Sequence, residues 1–261
     1  MLTRVLFIIP VLARGMSDER LLKRCLESLR RHDPGMLPHT LIVEEFASIG
    51  VKWAEDYGCK YIHKHRGPSY SSSINVGIDY AIENGYTHAV TINQDIEFVK
   101  PVLAPFMRAF RYGDIVGGTL YYPTGRIQSA GWYYRSDALP LEHEKRLPSN
   151  SCGLYKKERF VGGITGALQG FSLECGRYDE AFLLAYEDVW FCASNLLAGR
   201  RIFYTPTIEA VHVESATRGR FVGREEIQSV NHYLELTKDI NGRSLNAIVD
   251  EYNKTHEQQL G

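Results

Sequence analysis

The first 92 residues alternate short apolar runs with amphipathic segments, and this alternation restricts the fold more than any other feature of the chain. Val5 to Val11 is β-branched and apolar, the pattern of a strand buried in a core. Thr40 to Val43, Lys60 to His63 and His88 to Ile92 repeat it. Between these runs, Leu21, Leu22, Cys25, Leu26 and Leu29 fall on one helical face, with Ser17 and Asp18 as cap and Pro34–Gly35 as stop. A second helix runs through Val51 to Ala54 and closes near Gly58. A third carries the stripe Ile74, Ile78, Ala81 and Ile82 and ends at Gly85. Strand and helix in strict turn at this spacing predict an α/β fold: a mostly parallel central sheet with helices on both faces.

Sheets of that kind bind ligands beyond the carboxyl ends of their strands. The fourth strand ends, without a spacer, in Asn93-Gln94-Asp95-Ile96-Glu97. Amides and carboxylates there suit a site; the plain alternative is a solvated turn with an Asn/Asp cap. A single carboxylate does not hold a hard divalent cation alone, so a metal at Asp95 would share it with phosphate oxygens and water.

The second half is less regular. Asp114 to Tyr121 reads as a strand, with Gln128 to Arg135 as its partner. Residues 136–160 read as a polar mobile loop, and Ile164 to Leu173 as an apolar, glycine-rich stretch. Tyr186 to Gly199 has helical spacing, with Val189, Cys192, Ala193, Leu196 and Leu197 facing inward. Two further strands, Arg201–Thr205 and Ala210–Val213, precede a helix from about Arg224 to Lys238 and a polar tail at 241–261.

With 261 residues, the chain suits one domain with a sizeable core. Lys plus Arg number 30 against 31 for Asp plus Glu, so no strong field favours nucleic acid. Five scattered cysteines show no zinc or disulfide spacing and point to a reducing, cytoplasmic setting. The apolar start is broken by Pro10 and reads as a core strand rather than a leader. No apolar run approaches the ~18 residues of a membrane span, although peripheral membrane contact stays open.

Further acids lie at Glu187-Asp188, at the start of the Tyr186–Gly199 helix. Capping by the helix dipole explains them equally well as a general base with its partner. His212 ends a late apolar strand, where a histidine serves as structural hydrogen-bonder or as ligand. Arg218, Arg220 and Arg224 follow in a cationic segment suited either to closing over phosphates or to a solvated loop.

The order FIIPVLARG, VEE, HRGPSYSSSINVGIDYAIENG, TINQDIEF, ITGALQGFSLE, YDEAFLLAYEDVWFCASNLLAGRRIFYTP and VHVES resembles family 2 glycosyltransferases. It is closest to their rhamnosyltransferase-like and galactofuranosyltransferase-like members, over about residues 4–216. The resemblance implies a GT-A fold. Residues 1–240 would be one domain, its nucleotide-binding half at 1–100 and its acceptor-binding half at 101–240. It implies a nucleotide-diphosphate sugar donor (UDP-, GDP- or dTDP-linked), a carbohydrate or glycoconjugate acceptor, and Mn²⁺ or Mg²⁺. The family's aspartate-rich motif falls on Asn93-Gln94-Asp95, making Asp95 the metal ligand, with His212 completing the site. Asp188 matches the catalytic base and Glu187 its neighbour. Pro10, Val11, Glu44, Lys64 or Arg66, Asn75, Asn93 and Gln94 fall among the donor contacts, with Arg218 and Arg220 on the phosphates. Asn93 replaces the usual first aspartate, a lost charge that Glu97 would restore by facing inward. Glu44-Glu45 stands where Asp is common.

On this reading Asp188 deprotonates an acceptor hydroxyl as it displaces diphosphate with inversion, and Gly166 lets backbone approach the donor sugar. Trp132 and Tyr133 would stack on an acceptor sugar or else form a core pair. The rivals are a sugar-nucleotide pyrophosphorylase, a retaining transferase on the same fold, and a catalytically weak carbohydrate- or nucleotide-binding module.

Overall fold

The computed structural model describes residues 3–11, 16–45, 49–65, 69–142, 153–213 and 223–260. Its first half runs β1 (Val5–Val11), α1 (Met16–His32), β2 (Thr40–Glu44), α2 (Ile49–Tyr57), β3 (Lys60–His63), α3 (Tyr70–Glu83), β4 (His88–Ile92), β5 (Ile96–Phe98) and α4 (Leu103–Ala109). Its second half runs β6 (Ile115–Tyr121), β7 (Ile127–Ser129), β8 (Trp132–Tyr134), β9 (Pro140–Glu142), β10 (Arg159–Phe160), β11 (Leu168–Ser172), α5 (Glu187–Leu197), β12 (Ile202–His212), α6 (Arg224–Thr237) and α7 (Gly242–Leu260).

The strands join one mixed sheet in the order β10-β12-β6-β11-β4-β1-β2-β3, with β5 on β12 and β7 on β6; β8 and β9 pair separately. From β1 the chain steps outward through β2 to β3, then returns across the sheet to place β4 on the other side of β1. Right-handed crossovers therefore put α1 and α2 on one face and α3 on the other. The direction reverses between β1 and β4, the crevice where such sheets bind ligands. The core is continuous: Leu6, Phe7, Ile8, Ile9, Val90 and Ile92 are fully buried, and Leu22, Cys25, Leu26 and Leu29 of α1 close one side. Gly58, Gly85 and Gly199 stop α2, α3 and α5 in the left-handed region, at φ 70°, 70° and 79°.

Some expectations change. Ile82 and Leu197, expected inward, are exposed at 54% and 48%. The two late strands are one, β12, whose register against β6 shifts between Tyr204 and Glu209, around Pro206. The strand that pairs with β6 is Ile127–Ser129, which takes in only the first two residues of the Gln128–Arg135 stretch; Trp132 to Tyr134 turn to β9 instead. Inside the expected 136–160 loop, β9 and β10 are ordered pairings.

The expected polar tail is helix α7, docked on the same body. Leu245 and Val249 are fully buried on it. Asn246 gives and takes a hydrogen bond with the backbone of Tyr134 (2.6 and 3.0 Å), and Asn253 does the same with Phe160 (3.0 and 2.9 Å). Each amide acts as a further strand would, satisfying strand edges that would otherwise be buried unpaired.

Candidate active site

Strands β1, β2 and β4 are mutually parallel; β6 and β12 share their direction because antiparallel β11 lies between β4 and β6. Their carboxyl ends, and the amino end of β11, therefore meet along one edge. That edge carries Pro10 and Val11, Glu44, Asn93 to Asp95, Gly166 and His212.

Asp95 and His212 meet through β5. Its antiparallel register sets Ile96 opposite His212, so Asp95 lies beside the imidazole. Asp95 Oδ1 is 3.1 Å from His212 Nε2, both side chains nearly buried, and the Val213 amide donates to the Asp95 carbonyl at 3.2 Å. Glu97 is turned away: its carboxylate ion-pairs with Arg24 of α1 and does not replace the charge that Asn93 lacks. Among the described residues no cluster of three or more His, Cys, Asp or Glu could hold a metal ion. One carboxylate and one imidazole fit a divalent cation that takes the rest of its shell from diphosphate and water. They do not fit a site closed by protein ligands alone.

Glu187 and Asp188 begin α5, Glu187 buried and Asp188 half-buried. The Gly166 amide donates to Asp188 Oδ2 at 2.7 Å, and the Gly166 carbonyl accepts from Thr91 Oγ1 at 2.7 Å and Tyr70 Oη at 2.6 Å. The Asn93 amide donates to the Ala167 carbonyl at 2.8 Å. Gly166–Ala167 is thus a two-residue bridge between the end of β4 and the first turn of α5. A Cβ on Gly166 would stand 3.0 Å from Tyr70 Oη and 3.2 Å from Asp188 Cβ, so glycine's close approach serves this bridge.

The turn into α5 is strained. Ala185 and Tyr186 are consecutive left-handed non-glycine residues, at φ 71° and 64°. They are held from α6, where Ser229 Oγ accepts from the Leu183 and Leu184 amides (3.1 and 3.0 Å) and the Tyr233 ring lies 5.1 Å from that of Tyr186. Burial, then the negative charges of Glu226, Asp137 and Asp188, raise the Tyr186 phenol above its ordinary value, so it stays protonated.

Several expected donor contacts serve the scaffold instead. Glu44 is fully buried, its carboxylate accepting from the Ile49 and Gly50 amides (3.2 and 2.9 Å) and Tyr61 Oη (2.9 Å); it caps α2. Lys64 is buried in an ion pair with Glu45 and bonds Ser72 Oγ, pinning the start of α3. Asn75 exchanges hydrogen bonds of 2.9 Å with the Tyr178 backbone and donates to Glu180, stapling the chain ahead of α5. Trp132 is buried against Gly163, and Tyr133 is half-buried with its hydroxyl on the Phe160 carbonyl (3.4 Å); for Trp132 the core alternative holds. Gln94 is buried, Val11 buried and Pro10 partly exposed. Arg66, Arg218 and Arg220 lie outside the described residues.

Thr91, Tyr70, Gln128 and Ser229 escaped notice in the sequence, since each is an ordinary polar residue whose partner lies far away in the chain. Ala185 and Tyr186 carry no local signal either, because left-handed turns usually announce themselves as Gly or Asn.

The curled, mostly parallel sheet, flanked by helices and with acids gathered at its carboxyl edge, is the GT-A fold. Over 90% of its length the chain superposes on the crystal structure of GalNAc-T7 with UDP, GalNAc and Mn²⁺, with a TM-score of 0.69 at 13% sequence identity; it spans 48% of that chain. In sequence it is 30% identical over 139 residues to "Uncharacterized protein y4gI" of Sinorhizobium fredii (strain NBRC 101917 / NGR234), an alignment covering 49% of this chain and 15% of that protein. No protein-family model matches the chain.

Proposed function

We propose that the chain is an inverting glycosyltransferase that moves a sugar from a nucleoside-diphosphate donor to a hydroxyl of a carbohydrate or glycoconjugate acceptor. The observation that carries this reading is the Gly166 bridge, which fastens the acid-bearing start of α5 to the strand end leading into Asp95. The shared fold supports it, since the GalNAc-T7 crystals hold UDP, GalNAc and Mn²⁺.

Asp188 is the general base. Its Oδ2 is oriented by the Gly166 amide, and the carboxylate takes the acceptor hydroxyl proton as that oxygen bonds to the anomeric carbon. The carbon–diphosphate bond breaks on the opposite face, and the nucleoside diphosphate leaves with its electron pair. A positioned base contributes about 10²–10⁴-fold in rate. Asp95 and His212 would hold a divalent cation, which when bound neutralises charge on the leaving diphosphate. Among the described residues no helix is long and apolar enough to cross a membrane.

The test is turnover. Asp188→Asn keeps the Gly166 contact but removes the base, so hydroxyl transfer should fall at least 10²-fold with donor binding retained. Unchanged turnover would point to a retaining transferase instead. A thermal-shift screen of UDP-, GDP- and dTDP-sugars identifies the donor, because ligands of the folded form raise its melting temperature. A protein stabilised by no nucleotide sugar would be a binding module of another kind.

A further inference from the structure

We propose that Gln128 is a positioning residue that fixes the His212 ring with its proton on Nδ1, leaving Nε2 as a lone-pair donor toward a cation beside Asp95. This rests on the reading of Asp95 and His212 as the cation's protein ligands.

The pairing of β7 with β6 sets Tyr121 opposite Ile127 and Leu120 opposite Ser129. Gln128 is therefore the extra residue of a β-bulge, a device that re-aims one side chain and recurs beside active sites. Ile127, Gln128 and Ser129 are all buried, and the glutamine reaches His212, 84 residues on.

Gln128 Oε1 lies 2.7 Å from His212 Nδ1, and Gln128 Nε2 lies 3.5 Å from the His212 carbonyl oxygen. A carbonyl oxygen only accepts, so the glutamine NH₂ faces it and Oε1 is left facing the ring. Oε1 has no proton to give; Nδ1 must donate. In the neutral ring Nε2 then presents its lone pair to Asp95 Oδ1 at 3.1 Å. Two acceptors that close cohere around something positive, either a shared proton or a metal cation. Outer partners of this sort set the orientation and tautomer of ligating histidines. A glutamine does so without adding charge, whereas a carboxylate would change the balance that Asn93 has already altered.

The experiment uses the intact chain. The ¹⁵N shifts of the His212 ring, assigned by their loss in His212→Ala, should show protonated Nδ1. Mn²⁺ binding is followed by its EPR signal, alone and with UDP. Gln128→Leu should lose the Nδ1–H preference and bind Mn²⁺ about 10–100-fold more weakly. Gln128→Glu, which keeps an acceptor facing Nδ1, should keep the tautomer; it supplies the test if the leucine variant fails to fold. A wild-type ring protonated on Nε2 and not on Nδ1 overturns the inference. So does Gln128→Leu binding Mn²⁺ as tightly as wild type while His212→Ala does not, and in that case the proposed function stands. Wild-type protein that binds no Mn²⁺ with or without UDP overturns the cation reading itself, and this inference with it.

Discussion

Ser229→Ala tests whether α6 holds the proposed base, Asp188, in place. Two consecutive left-handed residues, Ala185 and Tyr186, precede the acid pair, and each such non-glycine residue costs about 1–2 kcal/mol. The turn thus stores roughly 2–4 kcal/mol that neighbouring contacts must offset. Ser229, fully buried, accepts the Leu183 and Leu184 amides at 3.1 and 3.0 Å just ahead of the strained pair. Alanine leaves both donors without this acceptor, and each unsatisfied buried donor costs about 1–3 kcal/mol. Leu183 is 38% exposed and Leu184 half-buried, so water recovers part of the loss. We expect a net destabilisation of about 2 kcal/mol by urea denaturation, with a melting temperature lower by about 4–8 °C. Relaxation of the turn should also displace the first turn of α5 and cut the proposed transferase turnover at least about 10-fold, since a 1 Å misplacement can cost about 10². A stability change below about 0.5 kcal/mol together with wild-type turnover would refute the reasoning, because the strain would then be carried elsewhere.

Other outcomes follow from the same geometry. Ala185→Gly should stabilise the protein by about 0.5–1 kcal/mol, strain relief exceeding glycine's entropic cost; a urea midpoint below wild type would contradict this. Asn253→Ala should cost about 1–3 kcal/mol and deprotect the Phe160 amide to hydrogen exchange while donor binding persists; unaltered protection would mean α7 does not shield β10. Burial pushes the Cys59 and Cys175 thiols up to about 12, and those of Cys25 and Cys192 higher still. Unfolded thiols ionise near about 8.5, so above that pH the unfolded chain binds fewer protons and stability falls as pH rises toward about 12. Urea midpoints that stay level across this range would exclude that linkage.

The sequence displays the scaffold of the first half well because its signals are local. Buried strands, amphipathic helices and glycine stops each fall within a few residues, and β3 runs over the expected Lys60–His63. The helix of residues 242–260 was hidden by its own solution to burial: Asn246 and Asn253 face inward, so an inward stripe reads as polar. Glu44, Lys64 and Asn75 look like ligand contacts because polar residues at strand ends and in loops suit both tasks. Their partners, the α2 amides, Glu45 and the Tyr178 backbone, decide between the two.

Periodicity and residue type therefore determined the element order as far as Ile92, the direction of the first four strands and the edge where acids gather. What only the tertiary structure decided is which of those polar groups face one another. Asp95 meets His212 through the β5–β12 register, Gln128 reaches that histidine from a bulge, and Gly166 ties Asp188 to β4. Hydrophobic burial follows a period that a chain displays along its length, whereas a hydrogen bond joins specific atoms, and their positions are fixed only once every strand has found its register.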